Sequence, residues 1–311
     1  MNKDILNQIL NITDEKNVLT NEPMMRHTTF RVGGAADYFI TPQSSKEAAD
    51  IVRLLLQYSE PFYILGNGSN LLVSDEGYRG VILNISKGLG DVVVSGTKIR
   101  AGAGALLSQV ASVAINAGLK GLVFASGIPG SIGGAIVMNA GAYGGEMKDV
   151  VESVTMLDIA SGEMVTRSGE EMAFGYRTSL VKSHPYLVLE VTMNLEKGDT
   201  DELKEEAREL AIKRKEKQPL EYPSAGSTFK RPEGYFAGKL IEDCGLKGCR
   251  IGGAEVSKKH SGFVINTGNA TALDIISLIN HIRAEVYKRF RVVLEPEVIM
   301  LGNGLNIEEI V

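Results

Sequence analysis

Apolar residues recur along this chain in several distinct patterns, and each predicts a different element. From Ser44 the run SSKEAADIVRLLLQYS sets Ile51, Leu54, Leu55 and Tyr58 on one helical face, with Glu47 spaced to close a capping box. It leads into PFYIL, a short apolar run that reads as a strand. LLVSDEGYRGVILNI then breaks β-branched runs with turn residues, which predicts strand, turn, strand. DVVVSGTKIRAGAGA reads as two strands around a tight turn. ALLSQVASVAINAGLKG reads as a helix of small residues ending at Gly118, a surface that admits a close neighbour. ESVTMLDIASGEMVTRSGEE predicts a hairpin at its central Ser-Gly, and YLVLEVTMNLEKG alternates like a half-buried strand. DTDELKEEARELAIKRKEK, acidic at its start and basic at its end, predicts a solvated helix whose KRKEK end is exposed rather than a binding patch. TALDIISLINHIRAEVYKRF, capped from Thr271 to Asp274, repeats apolar residues at Ile275, Ile279, Ile282, Val286 and Phe290, which predicts a long core helix. Helices and strands do not alternate regularly, so the fold class is α+β rather than one doubly wound sheet.

A length of 311 residues fits about two domains. A charged fraction of 23% beside 44% hydrophobic residues argues against disorder and coiled coil. Lysine and arginine number 33 against 38 acidic residues, so no excess of positive charge exists to neutralise a nucleic-acid backbone. The N-terminal MNKDILNQILNITDEKNVL lacks the continuous apolar core of an export signal, and no run nears the roughly 18 apolar residues of a membrane span. A cytoplasmic protein is expected. Cys244 and Cys249 match neither a redox pair nor paired zinc ligands, and His27, His184, His260 and His281 show no ligand spacing. No metal is expected.

Several stretches have compositions that packing alone explains poorly. LGNGSNLLVSD follows a strand and opens with glycine, spacer, glycine, yet Leu71 stands where a dinucleotide fingerprint needs its third glycine. Gly66 to Asn70 reads either as an anion nest of successive N–H groups or as a plain turn. FASGIPGSIGGAIVMNAGAYGGE places seven glycines among small residues with almost no charge, which suits a backbone lying against a large flat ligand. In FGYRTS, Arg177 has the planar fork that suits a carboxylate, whether in a salt bridge or in a substrate. In KQPLEYPSAGSTFKRP, Ser227 lacks the setting of a nucleophile elbow, which disfavours acyl chemistry. GYFAGKL misses the P-loop spacing and has Leu240 after its lysine. LEPEV places Glu295 and Glu297 on one face of a strand-like run.

Taken in order, TTFRVGGAADY, LGNGSNLLVSDEGYRGVIL, FASGIPGSIGGAIVMNAGAYGGE, FGYRTS, PSAGSTFKRP, KKHSGFVIN and LEPEV closely resemble the UDP-N-acetylenolpyruvoylglucosamine reductases, the MurB flavoenzymes of peptidoglycan precursor synthesis. The resemblance implies a vanillyl-alcohol-oxidase (PCMH-type) FAD fold of two subdomains with a C-terminal α+β substrate-binding domain. It implies FAD-binding subdomains at residues 1–84 and 85–216, with the FAD region at about 30–195, a substrate domain at 217–297, and a tail, 298–311, returning to the first subdomain. It also implies UDP-N-acetylmuramate dehydrogenase activity serving cell-wall biogenesis, cell shape and division. NADPH reduces noncovalently held FAD, which then reduces the enolpyruvyl group of UDP-N-acetylglucosamine enolpyruvate.

On the matching motifs, Ser227 would supply the proton, while Arg177 and Glu297 would hold the carboxylate into which negative charge spreads. A serine suffices as acid because an enolate is a strong base, and Glu297 helps only if it holds or shares a proton. The cofactor positions implied are Gly66, Asn67, Gly68, Ser69 and Asn70, then Gly127, Ile128, Pro129, Gly130, Gly133 and Gly134, and then Asn139 and Gly141. The short segment SLVKSHP places the chain in the branch without an inserted tyrosine loop, leaving Lys217, Tyr176, Lys230 and Arg231 as candidates for the substrate. A sugar or alcohol oxidase of the same fold is the alternative enzyme, and a flavin-free sugar-nucleotide sensor the alternative binder.

Overall fold

The computed structural model describes Met1 and residues 3–309, which divide into two units. The first comprises Met1–Thr20, Tyr38–Asn67 and Gly80–Arg214. Its largest sheet is antiparallel, with strands Met164–Ser168, Val151–Asp158, Tyr186–Asn194, Lys98–Gly102 and Val92–Ser95 side by side in that order. Both predicted hairpins are present: Val92–Ser95 turns through Gly96, at φ 61°, into Lys98–Gly102, and Val151–Asp158 returns as Met164–Ser168 past Gly162, at φ 75°. Around the sheets lie helices α1 (Lys3–Leu10), α2 (Ser45–Gln57), α3 (Leu107–Asn116), α4 (Ile132–Met138), α5 (Leu180–Ser183) and α6 (Thr200–Lys217), the last passing into the second unit. Ile51, Leu55, Val110, Ile132, Met156 and Val191 belong to one continuous buried core.

The small residues of α3 serve that core: Ala111 and Ala114 are fully buried within it. Ser44 caps α2 as expected by accepting the Glu47 N–H at 3.1 Å. The reciprocal bond differs, because the Glu47 carboxylate accepts from the Gln43 N–H at 3.0 Å. Tyr58 is not on the buried face of α2; it stands at its C-cap, 38% exposed, and its hydroxyl accepts from the Gln8 amide.

The second unit comprises Asn21–Asp37, Gly68–Arg79 and the chain from Lys215 onward. Helices α7 (Ala237–Asp243) and α8 (Ala272–Phe290) pack with an antiparallel sheet of Arg250–Ile251, Ala254–Val256 and Val264–Asn266. Helix α8 forms the expected capping box between Thr271 and Asp274, and the Asp75 carboxylate accepts from the Ala272 and Leu273 N–H groups at 2.8 and 3.0 Å. Ile275, Ile279, Ile282 and Val286 are fully buried on one stripe of α8.

The strand, turn, strand expected over LLVSDEGYRGVILNI exists as two strands that do not pair with each other. Leu71–Val73 runs parallel to Ile299–Leu301, and Tyr78–Asn84 runs parallel to Phe62–Leu65. Leu71, Leu72 and Val73 are all buried, as is the second run from Val81 to Asn84. Strands apolar on both faces suit parallel pairing better than a half-solvated hairpin. The C-terminal segment thus returns to residues numbered within 1–84, but these belong with the second unit. Among the described residues no helix is long and apolar enough to cross a membrane.

Candidate functional site

The strand Phe62–Leu65 ends at Gly66, and the chain turns through Gly68 to enter Leu71–Val73. Gly68 has φ 61°, and a Cβ on it would stand 1.9 Å from the His27 carbonyl oxygen, so only glycine fits. Carbonyl groups of this turn are engaged: Gly66 O accepts from Asn84 Nδ2 at 3.2 Å, Gly68 O from the Thr29 N–H at 3.1 Å, and Asn70 O from the Ile299 N–H at 3.0 Å. The N–H groups differ. From Gly66 to Asn70, none donates to an acceptor among the described residues. The hydroxyl of Thr29 is likewise buried without a partner among them. In this half-buried loop, successive unspent N–H groups are the donor set of an anion site. A pyrophosphate fits that set.

The glycine-rich stretch is different in kind. Its middle forms α4, which the sequence reading did not foresee, capped where Ser131 Oγ accepts the Gly134 N–H at 3.2 Å. The Ile132 and Gly133 N–H groups donate to the carbonyls of Ala105 and Ala103, both at 2.8 Å, so these amides are spent inside the fold. Added Cβ atoms would lie 2.3 Å from Ser131 Oγ at Gly66, 2.8 Å from an Arg214 guanidinium nitrogen at Gly127, 3.1 Å from the Ala103 Cβ at Gly133, and 2.7 Å from Gly145 O at Gly141. Backbone crowding excludes a side chain at Gly141, whereas at Gly66, Gly127 and Gly133 the Ser131, Arg214 and Ala103 side chains would have to give way. Gly130 O accepts from the Leu107 N–H at 2.9 Å. Pro129, Gly134 and Gly144 are exposed, with Ile128 partly so; the backbone left bare is at Gly134 and Gly144.

Arg177 sits in a tight turn. Gly175 and Thr178 exchange two backbone hydrogen bonds, of 3.0 and 3.3 Å, leaving Tyr176 and Arg177 at the tip with Arg177 at φ 55°. The Arg177 guanidinium lies over the Tyr176 ring, 5.4 Å from its centroid. Asn139 fixes this turn from below. It is 1% exposed and ends α4 at φ 43°. Its Nδ2 donates to Glu146 Oε2 at 2.7 Å and Gly175 O at 3.1 Å, while its Oδ1 accepts from the Lys148 N–H at 3.0 Å. The side chain of Asn139, a residue expected against the cofactor, joins α4 to the turn of Arg177. The Glu146 carboxyl is held below the usual carboxylate range by its hydrogen bond to Lys148, with Asn139 and the Lys148 and Arg177 charges acting alike and burial opposing.

In the second unit Ser227 follows Gly226, which has φ 76°, and is exposed. Its neighbour Thr228 is fully buried with every polar group engaged. The Thr228 N–H donates to Gly262 O at 2.8 Å, its hydroxyl accepts the Val264 N–H at 2.9 Å, and its carbonyl accepts the Glu297 N–H at 2.9 Å. The Asn70 amide donates to Glu297 O at 3.0 Å. The segments of Ser227 and Glu297, 70 positions apart in sequence, are thus joined by two backbone bonds, from the Glu297 N–H to Thr228 O and from the Lys230 N–H to Glu295 O, both 2.9 Å, while Arg177 belongs to the first unit. The KKHSGFVIN stretch supplies the other side of that post, with His260 Nδ1 accepting the Gly262 N–H at 3.1 Å. Lys230 pairs closely with Glu295, so its charge is committed, whereas Lys217 ends α6 exposed and Arg231 stacks on Phe236. Glu146 and Ser131 carry no functional expectation in the sequence; the cap spacing from Ser131 to Gly134 is the available signal for α4.

Two family models match the chain: an FAD binding domain over residues 36–168, and the C-terminal domain of UDP-N-acetylenolpyruvoylglucosamine reductase over residues 218–301. The UDP-N-acetylenolpyruvoylglucosamine reductase of Caldanaerobacter subterraneus subsp. tengcongensis is 53% identical over 298 residues, covering 96% of this chain and 98% of that protein. The reductase of Clostridium botulinum (strain Langeland) is 50% identical over 304 residues, covering 98% and 99%. The crystal structure of the Thermus caldophilus reductase (MurB) superposes with a TM-score of 0.78 at 34% identity, covering 92% of this chain and 98% of that one. With such likeness over nearly its whole length, the chain belongs to the UDP-N-acetylenolpyruvoylglucosamine reductase (MurB) family of oxidoreductases.

Proposed function

We propose that this enzyme uses NADPH and noncovalently held FAD to reduce the enolpyruvyl group of UDP-N-acetylglucosamine enolpyruvate to the lactyl ether of UDP-N-acetylmuramate, in cytoplasmic peptidoglycan precursor synthesis. The observation that carries the reading is the bond from the Glu297 N–H to Thr228 O, which ties together the two segments expected to handle the reacting carboxylate and its proton. FAD, when bound, supplies hydride chemistry, taking it from the nicotinamide and giving it to the double bond.

The residues of the chain supply the rest. Unspent N–H groups from Gly66 to Asn70 suit the cofactor's pyrophosphate, and the bare backbone at Gly134 leaves room beside it. Reduction of the enolpyruvyl double bond puts negative charge on the carbon beside the substrate carboxylate. Arg177, on a turn locked by Asn139, balances that charge. Glu297, its peptide held from both sides by Thr228 and Asn70, hydrogen-bonds the carboxylate when it carries a proton. The exposed hydroxyl of Ser227, beside the buried and fully bonded Thr228, delivers the proton to carbon. Lys217, Tyr176 and Arg231 contact the rest of the substrate, with Lys230 acting through its pair with Glu295.

The test is anaerobic stopped-flow absorbance. The flavin should bleach with NADPH and return to its oxidised spectrum only on addition of UDP-N-acetylglucosamine enolpyruvate. A flavin that stays reduced until air is admitted would move the reading to a sugar or alcohol oxidase, and a purified protein without flavin would move it to a sugar-nucleotide sensor.

A further inference from the structure

Arg283, in the middle of α8, is a cation only 7% exposed. A guanidinium stays charged wherever it is placed, so burial obliges its N–H groups to find acceptors. Two other segments supply them: Nε donates to Leu294 O at 3.0 Å and Nη1 to Glu308 O at 2.6 Å. Burial pulls the Arg283 pKa down, and the Glu308 charge opposes that. Asn280, three positions earlier and also buried, grips the second of these segments as well. Its Nδ2 donates to Asn306 O at 3.0 Å and its Oδ1 accepts the Glu308 N–H at 3.2 Å. Leu305 and Ile307 alternate with the bonded residues and pack against the core of this unit. Residues 305–308 thus lie bound to α8 by two buried polar side chains and two apolar ones.

The other partner of Arg283 leads to the candidate site. Leu294 is fully buried and stands three residues before Glu297. The segment that follows it is held from the sides of Ser227 and Asn70: Glu295 O accepts the Lys230 N–H, the Glu297 N–H donates to Thr228 O, and Glu297 O accepts from the Asn70 amide. The bond from Arg283 ties the same segment to α8. One buried cation therefore couples residues 305–308 to the approach of Glu297. Without Glu308 O, a buried charged N–H loses its acceptor, which draws the side chain toward water and away from Leu294 O. We propose that Arg283 is a positioning residue for Glu297, and that residues 305–308 are the strap that keeps Arg283 in place. The inference rests on the reductase reading for the role of Glu297.

The experiment is stopped-flow kinetics of the flavoenzyme, well below each variant's Tm, with Arg283→Met, Arg283→Lys and a chain stopped after Gly304, each with and without Glu297→Ala. Misplacing a group that meets the substrate by about 1 Å costs up to about 100-fold, so flavin reoxidation by the UDP-sugar should slow about 10- to 100-fold in Arg283→Met and in the shortened chain. Arg283→Lys, which keeps a donor, should slow it less. Flavin reduction by NADPH should stay within about twofold of wild type in all three. In the Glu297→Ala background the same changes should slow reoxidation by less than about twofold more, because the group they position is already gone. Equal slowing in both backgrounds, or none with Glu297 present, overturns the inference while the reductase reading stands. Where Arg283→Met does not fold, Arg283→Lys and the shortened chain complete the cycle. If the wild-type flavin is not reoxidised by the UDP-sugar, the reductase reading falls and takes the inference with it.

Discussion

Replacing Asn139 by alanine tests whether the turn of Arg177 is held by one buried side chain. The substitution removes the bond to the Glu146 carboxylate and the bonds to Gly175 O and the Lys148 N–H, at 2.7, 3.1 and 3.0 Å. A neutral hydrogen bond contributes about 1 kcal/mol net and one to a charged group about 1.5–3, so their loss costs about 3–5 kcal/mol. The left-handed backbone, φ 43°, adds strain of about 1 kcal/mol for alanine that glycine does not bear. Each kcal/mol lowers Tm by about 2 °C in a domain this large, so Asn139→Ala should lose about 8–12 °C by calorimetry. Asn139→Gly should recover about 2 °C of that, separating backbone strain from the side-chain bonds. Asn139→Asp should resemble or exceed the alanine variant, because it faces Glu146 with a like charge and cannot donate. If Arg177 acts as proposed, reoxidation of flavin by the UDP-sugar should slow in all three while its reduction by NADPH does not. A Tm within 2 °C of wild type in Asn139→Ala would refute the reasoning, since water would then be replacing the side chain without cost.

Gly68→Ala forces alanine to φ 61° with its Cβ 1.9 Å from His27 O; the turn must shift, and the purified protein should show a several-fold lower ratio of flavin to protein absorbance. Ser227→Ala should leave flavin reduction by NADPH at the wild-type rate and slow reoxidation by the UDP-sugar by about 10²–10⁴-fold; rapid reoxidation would remove Ser227 from proton delivery. The Glu146 carboxyl, with an ordinary value of 4.5, is depressed in the folded state by Lys148 first. Its stabilisation is therefore complete above that ordinary value and is lost as pH falls through the lower folded one. Between about pH 6 and 3, measured by Tm, Glu146→Gln should show a shallower acid loss than wild type.

The elements decided by local chemistry were legible in the sequence. The capping box of α8, the stripe from Ile275 to Val286 and the Ser-Gly hairpin each follow from periodicity and turn residues a few positions apart. What was not legible depends on distant chain. The run LLVSDEG gives no local sign that its strand will pair in parallel with Ile299–Leu301, because the partner lies more than 200 positions away. Tyr58 has the spacing of a buried residue, yet the helix ends at it and its hydroxyl finds Gln8. The buried post at Thr228 was hidden for the same reason: its three partners, Gly262, Val264 and Glu297, come from two other stretches.

Glycine illustrates how the candidate site divides between what composition can and cannot tell. Seven glycines in one uncharged stretch suggested a backbone lying against a ligand, yet the missing Cβ atoms at Gly127, Gly133 and Gly141 make room for Arg214, Ala103 and Gly145. The amides of Ile132, Gly133 and Gly134 are consumed by Ala105, Ala103 and Ser131. At Gly66 and Gly68 the missing Cβ atoms are also explained by protein neighbours, so space alone does not distinguish the two loops. Their N–H groups do. From Gly66 to Asn70 the carbonyls of Gly66, Gly68 and Asn70 are bonded while the amides of the same turn have no acceptor among the described residues. A loop that bonds three of its carbonyls within the fold and leaves a row of its donors unspent offers those donors to a ligand rich in acceptors, which a pyrophosphate is.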